Sequence, residues 1–148
     1  MGEDAIVRLF DPPNDCAPAD VIVPNGDDAA AIAGTTGSAF VVTTDCLVEG
    51  VHFDLAWADP RFLGRKLVAI NASDLAAMGA MPRHMLISVC LRPDVRVEGV
   101  RALATGLHER CAAHSISIVG GNTTRTTGAM VLSATLIGEA PCDAIVRR

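Results

Sequence analysis

Aromatic residues are scarce in this sequence of 148 residues, which has four phenylalanines, one tryptophan and no tyrosine. A surface on which nucleic-acid bases stack needs exposed aromatic side chains. Acidic residues also outnumber basic ones, and the formal net charge of −5 does not provide the basic surface that a phosphate backbone requires. We therefore expect a protein that does not bind nucleic acid.

Long apolar runs are missing as well, although half of the residues are hydrophobic and the mean hydropathy is +0.36. No stretch approaches the ~18 consecutive apolar residues of a membrane-crossing helix. The first residues also lack the basic and apolar regions of a secretory signal. We therefore expect no membrane segment, and we expect self-association to bury the surplus apolar surface.

The cysteines do not form the pattern of a disulfide framework, because they are five in number, widely spaced and without a C-x-x-C pair. Such cysteines are typical of reduced thiols in a cytoplasmic protein. We therefore expect a cytoplasmic location.

Hydrophobic patterning indicates a mixture of strands and helices in a single α/β domain over residues 1–148. We expect helices at 3–10, 59–78 and 96–114, the second one beginning at the Asp59 cap with Pro60 in its first turn. Strands are expected at 21–23, 39–44, 84–91, 116–119 and 129–137.

Polar residues are frequent in the segment 43–54, directly after the apolar run at 39–42. The segment carries two hydroxyls, three carboxylates and a histidine: Thr43, Thr44, Asp45, Glu49, His52 and Asp54. Carboxylates and hydroxyls are the ligands that hard cations such as Mg²⁺ prefer. The pattern predicts a metal site at a strand end, although a solvated acidic turn has a similar composition.

Asp74 interrupts the apolar stripe of the second helix, where it is in line with Leu67 and Ile70. A carboxylate on such a face is costly unless it is paired or bound to a metal. Asn71 is one turn away and can contact the same site. Asp27 and Asp28 precede another apolar run and contribute at most one carboxylate to any one face of the sheet. An ordinary buried ion pair at Asp74 and a simple turn at Asp27 are the alternatives.

A glycine pair, Gly120 and Gly121, follows the strand at 116–119 and is followed by Asn122 and then Arg125. Glycines at a strand end allow backbone amides to approach an anion closely. The usual nucleotide motifs, G-x-x-x-x-G-K-[ST] and G-x-G-x-x-G, do not occur.

With these motifs in place, the chain resembles the N-terminal half of thiamine-monophosphate kinases. These enzymes belong to the superfamily that includes aminoimidazole-ribonucleotide (AIR) synthetase and selenide, water dikinase. The matching segments are 26–30, 43–53, 66–82, 120–125 and 138–139. The sequence from Val48 to Phe53 favours the thiamine kinase branch over its relatives.

The resemblance implies an enzyme that transfers a phosphoryl group from ATP to thiamine monophosphate, with Mg²⁺ as cofactor. It implies Mg²⁺ ligands at Asp28, Thr43, Thr44, Asp45, Asp74 and Asn122. It also implies nucleotide contacts at Gly121, Asn122 and Arg148 and a substrate contact at His52. The implied fold is an AIR synthase-like α/β domain with a mixed sheet and helices on one of its faces. The other face of the sheet is expected to pack against a second subunit and form a dimeric barrel.

Two departures from the family are expected: Asn122 occupies a position where the family has aspartate, and the family's C-terminal domain is not part of this sequence, which is then either a fragment or a natural half-protein. The first departure replaces an anionic metal ligand with a neutral amide. Two alternatives therefore stay open, another enzyme of the superfamily and a half-protein that binds nucleotide or dimerises without catalysis.

Overall fold

A six-stranded mixed sheet forms the centre of the molecule, in a computed structural model that describes residues 20–23, 27–34 and 37–147. The strands are β1 (Val21–Val23), β2 (Ala30–Ala33), β3 (Ser38–Val48), β4 (Met81–Leu91), β5 (Ser117–Arg125) and β6 (Val131–Pro141). Their order in the sheet is β1-β2-β3-β6-β4-β5. All neighbours are antiparallel except β4 and β5, so β3, β4 and β5 run in the same direction.

Two helices follow the local signals in the sequence. Helix α1 (Pro60–Ala77) begins where the Asp59 carboxylate accepts a hydrogen bond of 2.9 Å from the Arg61 amide, which pairs one of the free donors of the first turn. It ends before Gly79, whose φ of +75° suits glycine. Helix α2 (Val97–Ala113) packs against α1.

Both helices cover the same face of the sheet. Strand residues on this face alternate with outward-facing ones and are buried, as are the facing residues of α1: Val41, Leu47, Met85, Leu132, Leu136, Leu63, Leu67 and Leu75. The opposite face, here called the open face, has no helix over it in the described part of the chain. Phe40 is 45% exposed and Leu86 is 39% exposed on that face.

The two helices touch at the level of their backbones. A β-carbon added to Gly106 would lie 1.9 Å from the Arg61 carbonyl oxygen, so only glycine permits this approach. Beside the contact, the Glu109 carboxylate of α2 accepts hydrogen bonds from Arg61 and Arg65 of α1. These two guanidinium groups lower the pKa of Glu109 to about 2.

The expected fold class, an α/β domain with a mixed sheet, is confirmed, and α1 and α2 have nearly the predicted bounds. Four strands are longer than predicted, because β3 continues to Val48, β4 begins at Met81, β5 continues to Arg125 and β6 continues to Pro141. The helix predicted at 3–10 lies outside the described residues. Among those that are described, no helix is both long and apolar enough to cross a membrane.

Candidate metal and nucleotide site

Thr43 joins two of the predicted metal ligands. Its hydroxyl lies 3.1 Å from the Asp74 Oδ2 atom and 3.3 Å from the Asp28 carbonyl oxygen, and its single proton can be donated to either acceptor. Strand β3 points Thr43 towards α1, and the residue is only 6% exposed. The structure therefore brings together a strand hydroxyl, a helical carboxylate and the segment that precedes β2.

The electrostatics around Asp74 are unfavourable for its charge. Partial burial raises the pKa of Asp74, the Thr43 hydrogen bond lowers it, and the negative charges of Asp45 and Asp28 raise it further. The net effect is a raised pKa. Carboxylates whose negative charges repel one another are stabilised together by a bound cation.

The donor set fits a magnesium ion only in part. No group of three or more His, Cys, Asp or Glu side chains within the described ranges is arranged around one metal position. Mg²⁺, however, is often bound by one or two carboxylates, with water and substrate phosphates completing the octahedron. The buried Asn71 Oδ1 atom, one helical turn from Asp74, has no hydrogen-bond partner among the described residues. An unpaired buried oxygen one helical turn from a carboxylate is consistent with a polar ligand that completes the site.

Thr44 does not join this cluster. Its hydroxyl donates to the Ala134 carbonyl oxygen at 3.0 Å and accepts from the Thr135 hydroxyl at 3.1 Å. The reason is the strand that continues beyond residue 44, since neighbouring residues of a strand face opposite sides of the sheet. With Thr43 on the helix side, the Thr44 side chain lies on the open face.

A row of paired residues crosses the sheet from the predicted metal site to the predicted nucleotide site: Asp45, Ala134, Ile87 and Gly121. Three strand spacings separate its ends, which is about 14 Å. One ion cannot contact both ends of this row. An elongated anionic ligand such as a nucleoside triphosphate with bound cations matches this separation better than a single ion does.

Gly121 has a structural requirement of its own. Its φ is +154°, and an added β-carbon would lie 1.8 Å from the Ile87 carbonyl oxygen. Gly121 pairs with Ile87 and the exposed Asn122 pairs with Ser88, so both residues belong to strand β5 and not to a loop. Arg148, the other predicted nucleotide contact, lies outside the described residues.

His52 lies in a tight turn after β3, on the wall of a groove of about 450 Å³. Its Nδ1 atom accepts a hydrogen bond of 3.0 Å from the Val48 amide. The groove also contains Trp57 and Phe62, which are 77% and 60% exposed. His52 is thus at the surface and apart from the Thr43 cluster, at the end of the same strand.

Sequence reasoning missed the role of Glu49. Its side chain is 9% exposed and accepts hydrogen bonds from Arg92 at 2.7 Å and from the Met130 amide at 3.1 Å. Glu49 therefore ties the end of β3 to the end of β4 and to the start of β6. The Asp54 carboxylate accepts from the Ala56 amide at 2.8 Å. Of the three carboxylates in the segment 43–54, only Asp45 acts electrostatically on Asp74.

Comparisons with known proteins identify the family of this chain. The sequence profile of the family described as AIR synthase related protein, N-terminal domain, matches residues 26–140. The thiamine-monophosphate kinase of Corynebacterium glutamicum is 40% identical over 116 residues, which are 78% of this chain and 35% of that protein. The thiamine-monophosphate kinase of Caulobacter vibrioides is 41% identical over 123 residues, with 82% and 35% covered.

A solved structure of AaThiL complexed with AMPPCP and TMP is similar over 95% of this chain and 42% of that one. The TM-score is 0.82 and the sequence identity is 29%. The predicted resemblance to thiamine-monophosphate kinases is thereby confirmed. The chain spans about a third of the length of the curated relatives it matches, since 35% of each is covered.

The matched residues include every described residue of the Thr43 cluster and of the row that ends at Gly121. The match also covers more than half of the chain, from before β2 to within β6. This chain belongs to the AIR synthase related family, of which it carries the N-terminal domain.

Proposed function

We propose that the chain is the metal- and nucleotide-binding part of a kinase that phosphorylates thiamine monophosphate, with ATP as donor and ADP and thiamine diphosphate as products. The observation that carries this proposal is the Thr43 hydroxyl between Asp74 and the Asp28 backbone, next to the charge of Asp45. The names of the relatives and the AMPPCP and TMP of the similar structure support the choice of donor and acceptor.

Asp28, Asp45 and Asp74 would hold Mg²⁺, with the Thr43 oxygen at the same site. When bound, Mg²⁺ neutralises phosphate charge and orients the groups that react. The Thr43 hydroxyl holds the Asp74 carboxylate in place by its hydrogen bond of 3.1 Å. Thr44 and Asn122 are proposed ligands only for further ions, since Thr44 faces the other side of the sheet and Asn122 is two strands beyond β6.

The β5 backbone at Gly121 and Asn122, together with Arg148, is the proposed contact surface for the nucleotide phosphates. His52 is the proposed contact for the acceptor substrate. Positioning and charge neutralisation account for most of the catalysis in phosphoryl transfer, so this chain needs no nucleophile of its own. We propose direct in-line transfer without a phosphoenzyme.

We also propose that residues 1–148 form one domain that dimerises through the open face of the sheet, with Phe40 and Leu86 in the interface. A cytoplasmic location is part of the proposal, and the free thiols of Cys46, Cys90, Cys111 and Cys142 are consistent with it.

Thermal unfolding with ligands tests the proposed function. Ligand at 100 times its Kd adds about 2.7 kcal/mol of stability. We expect MgATP to raise the Tm, ATP with EDTA to leave it unchanged, and thiamine monophosphate to add a further rise that thiamine does not produce. An equal rise with and without Mg²⁺, or the absence of any response to thiamine monophosphate, would contradict the proposal.

A further inference from the structure

The turn that carries His52 is held rigidly although the side chain is exposed. The amides of Val51 and His52 both donate to the Val48 carbonyl oxygen, at 3.1 and 2.8 Å, and the Gly50 amide donates to Phe53 at 2.7 Å. Phe53 is 3% exposed and anchors the turn in the core. The backbone of His52 therefore has a fixed position relative to β3.

The ring of His52 has a defined tautomer. The Val48 amide is only a donor, so its bond of 3.0 Å to Nδ1 requires a lone pair on that nitrogen. The proton of the neutral imidazole is then on Nε2. Among the described residues nothing accepts from Nε2, and the ring lines the groove that contains Trp57 and Phe62. His52 thus presents one N–H donor at the groove.

Lys66 fastens this turn to helix α1. Its Nζ atom donates to the His52 carbonyl oxygen at 3.2 Å, and its side chain lines the same groove. Lys66 is the single lysine of the sequence, which also has eleven arginines. A lysine ammonium is a compact donor that reaches one carbonyl oxygen from a helix, whereas the guanidinium of arginine is larger and planar.

We propose that Lys66 is a positioning residue. It holds the turn at Val48–Phe53 so that the Nε2–H group of His52 donates a hydrogen bond to an acceptor atom of the substrate. The inference rests on the proposed function, in which the substrate is a phosphorylated heterocycle. Lys66 holds the backbone of His52 through its carbonyl oxygen, and the Val48 amide holds the imidazole ring of His52 through Nδ1. Trp57 and Phe62 contribute apolar surface to the same groove.

Nuclear magnetic resonance tests the tautomer directly. Two-bond ¹H–¹⁵N correlation spectra distinguish the two neutral tautomers of each of the four histidines, and His52→Gln identifies the signal of His52. We expect the Nε2–H form in the native chain and a mixture of tautomers in Lys66→Met. Arg65→Met is the matched control, because Arg65 is adjacent on α1 and pairs with Glu109 instead.

Calorimetry supplies the second measurement. Lys66→Met should weaken thiamine monophosphate binding about tenfold, the scale of one hydrogen bond, and leave MgATP affinity unchanged. Lys66→Met with a native tautomer signal and native thiamine monophosphate affinity would overturn the inference, as would an Nδ1–H form in the native chain. Loss of MgATP affinity in Lys66→Met would overturn it as well, because the effect is then not confined to His52. Failure of the native chain to bind MgATP would contradict the proposed function and not the tautomer.

Discussion

At the scale of single residues, Asp74 is a carboxylate whose charged form is less favourable in the folded chain than in water. Burial and the charges of Asp45 and Asp28 raise its pKa, and the Thr43 hydroxyl compensates only in part. A group whose pKa is raised by folding stabilises the folded state when it is protonated, and this stability is lost as the pH rises through the folded-state pKa.

Asp74→Asn should therefore be more stable than the native chain at about pH 8 in EDTA, and the difference should vanish as the pH falls towards about 4. Partial exposure of Asp74 keeps the difference small, because solvent screens the charges. Urea unfolding at several pH values measures it. Added Mg²⁺ should stabilise only the native chain, whereas an Asp74→Asn variant that is less stable at every pH would identify Asp74 as a structural partner.

Asp74 was predictable from the sequence because helical periodicity alone places it in the apolar stripe of α1. The face on which Thr44 lies was not, because the polar residues 43–45 conceal a strand whose alternation continues to Val48. The roles of Glu49 and Lys66 depend on partners that are 43 and 14 residues away in the chain. Such pairings leave no periodic signal in a single sequence.

At the scale of elements, the crossing of α1 and α2 depends on glycine. An alanine at Gly106 would press its β-carbon against the Arg61 carbonyl oxygen, and the helices would have to separate. We expect Gly106→Ala to lower the free energy of unfolding by about 1–3 kcal/mol, the usual cost of overpacking.

Gly99→Ala is the control for that prediction, since Gly99 is on the same helix as Gly106. Its β-carbon would lie at an ordinary contact distance of 3.9 Å from Pro60 of α1. That substitution should stabilise the chain by up to about 1 kcal/mol through helix propensity. Urea unfolding measures both variants. Equal effects of the two substitutions would show that the helices do not pack as closely as described.

The strand β5 carries the second element-scale prediction. Gly121→Ala should disrupt the pairing of β4 with β5 and abolish nucleotide binding, because the added carbon would lie 1.8 Å from the Ile87 carbonyl oxygen. Gly120→Ala would meet only the Leu86 side chain, at 3.3 Å, and should retain both. Amide hydrogen exchange in β5 and nucleotide titration report the two properties. Native protection and binding in Gly121→Ala would contradict the prediction.

Secondary structure was predictable where the local chemistry is strong, as at the Asp59 cap and Gly79, which bound α1. The extension of β5 through two glycines was not, because glycine has a low strand propensity and the parallel pairing to β4 supplies the stability. The order of the strands also depends on contacts between distant segments, and no local pattern reports these.

At the scale of the whole molecule, the open face leaves apolar side chains in water. Phe40→Glu should shift the proposed dimer to monomer in sedimentation velocity, because a carboxylate would be buried without a partner. Phe62→Glu is the control, as Phe62 is similarly exposed but lies in the groove on the helix side. A native chain that sediments as a monomer at micromolar concentration would contradict the proposed interface.

The most direct test of the metal and nucleotide site is a calorimetric titration of MgATP into the native chain, Asp45→Asn and Asp143→Asn. Asp143 is an exposed carboxylate in the short 3₁₀ turn at Cys142–Ala144 and serves as the control. We predict that the native chain and Asp143→Asn bind MgATP equally and lose binding in EDTA. Asp45→Asn should bind at least about tenfold more weakly, a loss of about 1.4 kcal/mol. Equal affinities in all three proteins, or binding that persists without Mg²⁺, would contradict a metal site at Asp28, Thr43, Asp45 and Asp74.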